Sequence, residues 1–218
     1  MSIELTAWGH AGLRLERDGQ RLAIDPGSFT DGRVLDGVTA VLVTHEHVDH
    51  VVPEQLGPLV AEREELSVWA PQPVVDALVA AGAPAARVHP VTPGQDLAAA
   101  GFAVQVLGGE HAVIHPAMPP VVNAAYLVDG LVLHPGDSFT PPPAGVAVEV
   151  LALPVAAPWL KLSEAVDYAA LVAPDRVVPV HDAILNEAGV GLADRVVSGL
   201  IGAVGYRRLQ VGEPHEVG

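Results

Sequence analysis

The sequence predicts an α/β fold in which two β-sheet layers pack together with helices on their outer faces. Two observations lead to this prediction. Short strand-like runs are followed by helix-like stretches, and the same order occurs again in the later half of the chain. This pattern is typical of layered α/β domains. The 218 residues fit one domain, spanning residues 1–218, and suffice for an ordinary hydrophobic core.

In the first half, β-branched or alternating apolar residues predict strands, and longer apolar-periodic runs predict helices. Asp18-Gly19 predicts a hairpin turn. The predicted strands are Ile3–Trp8, Leu13–Arg17, Arg21–Ile24, Val38–Val43 and Ser67–Ala70, and the predicted helices are Pro53–Arg63 and Gln72–Ala81. The strand Val38–Val43 is apolar except for Thr39, which predicts burial on both of its faces.

The second half yields further strands and helices by the same criteria. The predicted strands are Phe102–Leu107, Ala124–Val128, Leu131–His134, Val148–Leu153, Val177–Val180 and Arg207–Val211, and the predicted helices are Ser163–Val172 and Leu192–Val204. Ser163 is expected to be the N-cap of its helix.

Composition excludes several classes of function. The chain has 11 basic and 26 acidic residues and a formal charge of −15, which argues against a nucleic-acid partner and against an anionic membrane surface. Cysteine is absent, which excludes disulfides, thiol catalysis and thiolate metal sites. The N-terminal segment lacks the pattern of a secretory signal, and the apolar run Val150–Leu160 is too short to span a bilayer. We therefore expect a cytoplasmic protein.

The main candidate for chemistry is the segment His45-x-His47-x-Asp49-His50, which directly follows a predicted buried strand. Imidazole nitrogens and carboxylate oxygens suit Zn²⁺ and other first-row divalent metals. His45 and His47 are two residues apart, so in an extended backbone both point to the same side and can hold one ion. Asp49 and His50 diverge from each other and face a second position. The segment therefore predicts two neighbouring metal sites.

Further candidate ligands follow other predicted strands. His111 comes after Phe102–Leu107, Asp137 after Leu131–His134, and His181 after Val177–Val180. Singly, each could be an ordinary turn or surface residue, but together with the histidine motif they predict ligands. Asp137 is expected to bridge the two ions, because each of its oxygens can serve one of them. His111 is a better candidate than His115 because it lies nearer the preceding strand, and His115 is the alternative.

The order of these motifs resembles the metallo-β-lactamase superfamily. The resemblance implies a four-layer αββα sandwich with two metal ions at one edge between the sheets. It implies that the first ion is bound by His45, His47 and His111, the second by Asp49, His50 and His181, and both by Asp137. Two further segments, Trp8-Gly9-His10 and Leu22–Gly27, resemble the compact UlaG-like branch, which includes L-ascorbate-6-phosphate lactonase. Asp25 resembles the superfamily's early strand-end aspartate, which supports the loops near the metals rather than binding them.

This ligand set predicts a metal-dependent hydrolase. Two divalent ions roughly 3.5–4 Å apart can share a water, lower its pKa and present a metal-bound hydroxide to a carbonyl carbon or phosphorus. Asp49 is the predicted catalytic residue, which orients that hydroxide and passes its proton to the leaving group. The expected substrate is a small molecule with a lactone, ester or phosphodiester bond. Zinc is the expected metal, and manganese and iron are also compatible with histidine and aspartate ligands.

Four other residues are candidates for substrate contact or for supporting the ligands: His10, His115, Asn123 and His134. For each, a capping, surface or turn role is an alternative. Two competing functions also stay open at this point, namely a phosphodiesterase or nuclease of the same fold, and a catalytically silent metal-binding scaffold. A homo-oligomer is possible, since the apolar, proline-rich region 139–160 can be either an interface or a buried loop and strand.

Overall fold

The computed structural model describes residues 2–202 and 204–218, and in each half of the chain a run of strands precedes the α-helices. The strands are β1 (Ile3–Ala7), β2 (Leu13–Arg17), β3 (Gln20–Ile24), β4 (Ala40–Leu42), β5 (Ser67–Ala70), β6 (Val88–Pro90), β7 (Asp96–Ala99), β8 (Phe102–Gly108), β9 (Ala124–Val128), β10 (Val132–His134), β11 (Val150–Pro154), β12 (Arg176–Val180), β13 (Gly205–Tyr206) and β14 (Pro214–Val217). The α-helices are α1 (Pro53–Glu62), α2 (Gln72–Ala80), α3 (Leu162–Val172) and α4 (Glu187–Leu200).

Over the described residues, the strands form two sheets of seven with the same internal arrangement. The first sheet has the order β14-β1-β2-β3-β4-β5-β6 and the second the order β13-β12-β11-β10-β9-β8-β7. In each sheet, three neighbouring pairs are antiparallel and three are parallel. The two halves of the chain, which were predicted to repeat the same order of strands and helices, therefore form two sheets with the same arrangement of parallel and antiparallel pairs.

Three apolar clusters hold the layers together. One lies between the sheets and includes Leu15 and Phe102, one lies between the first sheet and α1 and α2, and one lies between the second sheet and α3 and α4. In β11, alternate residues enter different clusters: Ala152 packs between the sheets, whereas Leu151 packs toward the helices. Strands buried on both faces are apolar throughout for this reason. The predicted four-layer αββα sandwich is confirmed.

Several predicted elements were wrong. The helix α3 begins at Leu162 with Lys161 as its N-cap, so Ser163 lies inside the helix. The helix predicted at Leu192–Val204 begins at Glu187, with the Asn186 side chain accepting the N–H of Gly189, and ends at Leu200; Ala203 of that prediction lies outside the described residues.

The predicted last strand, Arg207–Val211, is not a strand. Arg208 instead forms ion pairs with Asp182 and Asp194, which hold this segment over α4 and the loop after β12. The terminal strand is β14, which pairs with β1. The short strands β6 and β7 were not predicted. No helix in the described part of the chain is long and apolar enough to cross a bilayer.

Candidate metal centre

The candidate metal ligands lie in loops that follow the carboxyl ends of strands. His45–His50 follows β4, His111 follows β8, Asp137 follows β10 and His181 follows β12. Because β10, β11 and β12 are adjacent and parallel, their carboxyl ends meet at one edge of the second sheet. Loops gather to form sites at such edges of open sheets.

Asp25 organises the loop that carries the histidine motif, from a fully buried position directly after β3. Its Oδ1 atom accepts the backbone N–H of Thr44 at 2.7 Å. Its Oδ2 atom accepts the hydroxyl of Thr44 and the Nδ1–H of His50, both at 2.7 Å. The carboxylate therefore fixes both ends of the motif loop and the orientation of the His50 ring.

The first cluster contains His45, His47, His111 and Asp137, whose potential ligand atoms all lie within 4.8 Å of one another. The Nε2 atom of His45 and the Nδ1 atom of His47 face each other at 3.0 Å. His111 Nε2 lies 3.3 Å from Asp137 Oδ2. The two motif histidines do converge on one position, as their spacing predicts.

The second cluster contains His10, Asp49, His50 and His181, again within 4.8 Å of one another. The Nε2 atom of His181 lies 3.4 Å from Asp49 Oδ2, and that of His50 lies 3.9 Å from it. Three of these residues are the ligands implied for the second ion, and His10 joins them.

Asp137 lies between the two clusters. Its Oδ1 atom is 3.1 Å from His181 Nε2 and 3.2 Å from His50 Nε2, whereas its Oδ2 atom is near His111. Each oxygen therefore faces a different cluster, which is the geometry that a bridging carboxylate needs.

Hydrogen bonds on the far side of the rings fix which nitrogen faces the centre. In four histidines Nδ1 contacts a protein acceptor, so in the neutral ring Nδ1 carries the proton and Nε2 is a bare lone pair. These contacts are His45 to Thr44 Oγ1 at 3.0 Å, His50 to Asp25 Oδ2 at 2.7 Å, His111 to the carbonyl of Ala112 at 2.5 Å, and His181 to the carbonyl of Ala156 at 2.6 Å.

Several inward-facing atoms are buried without a hydrogen-bond partner: Nε2 of His50, His111 and His181, and Oδ1 of Asp137. Buried polar groups in proteins are nearly always paired, and an unpaired one costs about 1–3 kcal/mol. Cations bound at the two clusters would satisfy these lone pairs. The residues present therefore fit bound metal ions.

The carboxylates of the centre are held in the ionised state. Burial favours the neutral acid at Asp137, but the adjoining imidazoles of His111 and His181 outweigh it and keep the pKa well below its usual range. Burial also acts to raise the pKa of Asp49, but the hydrogen bond from His10 and the nearby rings of His181 and His50 outweigh it and lower the pKa. Two negative charges thus face the space where cations would bind.

His10 differs from the other histidines of its cluster. Its Nδ1 atom accepts the backbone N–H of Ala183 at 3.2 Å, so the ring proton of the neutral form lies on Nε2. That Nε2–H donates to Asp49 Oδ2 at 3.1 Å. Burial lowers the pKa of His10, which favours this neutral form. With both nitrogens engaged, His10 has no lone pair for a metal and instead positions Asp49.

The remaining predicted residues occupy different places. His115 is exposed and outside both clusters, with its Nδ1 accepting the N–H of Ala117 at 3.1 Å. Asn123 is buried, where its Oδ1 accepts the backbone N–H of Asp137 at 3.0 Å. His134 uses both nitrogens on backbone groups, at Ala11 and Gly136. Asn123 and His134 therefore support the Asp137 loop, and the structure brings His111, not His115, to the centre.

Two contributors were not among the predicted site residues. Trp159, which the sequence places on a Pro-flanked loop expected to overhang the site, donates its indole N–H to Asp137 Oδ2 at 2.8 Å. Thr44 links Asp25 to His45 through its hydroxyl. A hydroxyl residue at the strand end, directly before the first motif histidine, was the available signal for Thr44. For Trp159 the sequence indicates the loop but not the contact with Asp137.

Comparison of the sequence with known proteins finds a matching family model and several relatives. The family model described as "Beta-lactamase superfamily domain" matches residues 4–181. Protein Rv0786c of Mycobacterium tuberculosis is 41% identical over 196 residues, which cover 87% of this chain and 89% of the relative. A UPF0173 metal-dependent hydrolase of Rhizobium etli is 25% identical over 148 residues, which cover 62% of this chain and 59% of the relative.

Solved structures show the same fold. Igni18, described as a novel metallo hydrolase from Ignicoccus hospitalis, superposes with a TM-score of 0.73 at 21% sequence identity. The superposition covers 99% of this chain and 98% of Igni18. The order of layers and strands is therefore shared over the full length of both chains.

Proposed function

This chain belongs to the beta-lactamase superfamily, and from that premise we propose that it is a metal-dependent hydrolase with a dinuclear centre, acting on a lactone, ester or phosphodiester of a small molecule. Its relatives in Rhizobium etli carry the name metal-dependent hydrolase, which supports the general activity. Membership of the UlaG-like branch is part of the proposal and rests on the segments that begin at Trp8 and Leu22.

The observation that carries this proposal is the common direction of the histidine lone pairs. Each of the rings of His45, His50, His111 and His181 gives its Nδ1–H to the protein and turns Nε2 toward the two carboxylates. Outer hydrogen bonds of this kind orient histidine ligands and raise their basicity. Zinc is the proposed metal, with manganese and iron compatible with the same nitrogen and oxygen atoms.

When bound, two divalent ions supply an activated water at neutral pH and polarise the substrate carbonyl or phosphoryl oxygen. The protein's own residues orient the carboxylates of the centre. Asp137 offers one oxygen to each cluster, and Trp159 and Asn123 fix its side chain and its backbone. Asp49 is 22% exposed at its side chain, unlike the buried histidines, so it can reach both substrate and centre. We assign Asp49 the transfer of a proton to the leaving group, with His10 holding Oδ2 in place.

We propose a small-molecule substrate, with neither nucleic acid nor membrane as a partner. A formal charge of −15 opposes the approach of a polyanion, whose binding normally depends on clustered Lys and Arg. A small phosphodiester is compatible with this charge.

The test is a hydrolysis screen on protein from which metal has been removed and then restored as Zn²⁺, Mn²⁺ or Fe²⁺. Lactones, p-nitrophenyl esters and bis(p-nitrophenyl) phosphate are the substrates. We expect turnover with at least one metal and a fall in kcat of about 10²–10⁴ in Asp49→Asn, the usual contribution of a general acid–base group. His89→Ala, at a half-buried histidine of β6 outside both clusters, is the matched control and should keep full activity. Bound metal with no turnover on any substrate would favour a silent scaffold.

A further inference from the structure

A cavity of about 220 Å³ adjoins the first cluster. Its walls are the loop of residues 110–121 together with His47. Two residues of the first cluster, His47 and His111, form the end of the cavity that faces the candidate metal ions. A molecule whose reacting group lies at the centre could therefore extend directly into this space.

The walls of the cavity are mainly apolar. Val113, Ile114, Met118 and a series of prolines supply most of the lining. Val113 is 72% exposed and Met118 is 51% exposed, although large apolar side chains are normally withdrawn from water. Exposed apolar groups gathered around a concave site are typical of ligand-binding surfaces.

The charge of the lining disfavours an anionic group at this place. Among the described residues, neither Lys nor Arg lines the cavity or the open groove beside it, which is lined by residues 107–113 and 138–143. Glu110 borders both. Recognition of a phosphate normally depends on Arg, Lys or a helix N-terminus. A neutral ligand fits this lining better than a phosphorylated one.

We infer that the cavity binds the apolar arm of a neutral substrate, an aliphatic lactone or carboxylic ester whose carbonyl reaches the two clusters. This inference rests on the proposed hydrolase function and selects among its bond classes. It places the specificity of the enzyme in the loop 110–121, with Met118 and Val113 as contacts of the arm. A phosphodiester or a phosphorylated sugar is disfavoured by the same lining.

The first experiment measures kcat/KM of the zinc-loaded protein on p-nitrophenyl acetate, butyrate, hexanoate and octanoate. Each methylene that enters the cavity should raise kcat/KM about fourfold until the space is filled, from the transfer free energy of a buried methylene. Met118→Glu should abolish most of this dependence on chain length. Leu192→Glu, at a residue 50% exposed on α4, is the matched control and should keep it. Equal kcat/KM for all chain lengths, or faster cleavage of bis(p-nitrophenyl) phosphate, would overturn the inference.

A second experiment separates this inference from the proposed function. Metal-free protein is titrated with 1-butanol, 1-hexanol and 1-octanol, and the amide chemical shifts of residues 110–121 are followed by NMR. Affinity that rises with chain length in the wild type, and that is lost in Met118→Glu, supports the cavity even if no ester is hydrolysed. Shifts that are absent, or that are unchanged by Met118→Glu, contradict the cavity even if hydrolysis is found.

Discussion

Replacement of Asp25 by Asn tests whether a residue outside the metal-binding clusters sets the affinity of the centre for metal ions. The two side chains have the same shape, and Asn tolerates the left-handed backbone of this position, where φ is 49°. What changes is the hydrogen bonding. One carboxylate oxygen becomes an NH₂ group, and it then faces donors from Thr44 or from His50.

The expected cost follows from these contacts. At least one buried donor loses its acceptor, at about 1–3 kcal/mol, and the remaining bonds lose their charge, at about 1 kcal/mol or more. A total of about 2–4 kcal/mol corresponds to a fall in Tm of roughly 4–16 °C for a chain of this size. In addition, His50 loses the carboxylate that fixes its ring and increases its basicity, and such losses weaken metal binding by about 10–100-fold.

The assay has two parts: thermal unfolding of metal-free protein, and Zn²⁺ titration against a competing chelator. Asp167→Asn, at an exposed position of α3, is the matched control and should shift Tm by no more than about 2 °C. Zinc affinity of Asp25→Asn equal to that of the wild type would refute the reasoning, whatever the Tm, because the effect on the metal is derived from the His50 contact alone.

Two further substitutions test the surroundings of the centre. His10→Gln places an amide N–H where Nε2 donates to Asp49 and should keep most activity. His10→Asn keeps only an acceptor for the N–H of Ala183 and should lose about 10–100-fold in kcat. Equal kcat values for the two variants would contradict a positioning role. Gly27→Ala should lower Tm by roughly 2–12 °C and weaken zinc binding, because the new Cβ would lie 1.9 Å from the carbonyl oxygen of Asp49. Gly191→Ala, in open space within α4, should leave Tm unchanged or raise it.

The sequence predicted the layers and the main candidate ligands because both can be recognised from residues that are close together in the chain. A strand buried on both faces is apolar along its whole length, as in Val41 and Leu42, which enter different clusters. The motif from His45 to His50 places several ligand atoms within a few residues, so it can be recognised without knowledge of the fold.

The missed elements depend on contacts between distant residues. Gly189 and Gly191 lower the helix propensity of the start of α4, and packing of Ala193 and Val197 against the second sheet overrides it. The pairing of β14 with β1 joins opposite ends of the chain, and no local pattern predicts it.

The same limit applies within the site. His10 contacts Asp49 across 39 residues and the backbone of Ala183 across 173, and these contacts decide which ring nitrogen carries the proton. The sequence could identify His10 as a candidate site residue but could not show whether it binds a metal or positions Asp49. Trp159 belongs to the same class, since only the fold brings its indole to Asp137.

The most direct test of the account is the number of metal ions bound per chain, measured by elemental analysis of untagged wild-type protein and of Asp137→Ala after Zn²⁺ loading. We predict about two ions per chain in the wild type, as a dinuclear hydrolytic site requires. We predict fewer in Asp137→Ala, because that carboxylate serves both clusters. Wild-type protein that retains no zinc after this loading, and no manganese after a parallel loading with Mn²⁺, would contradict the dinuclear centre and the hydrolase that depends on it.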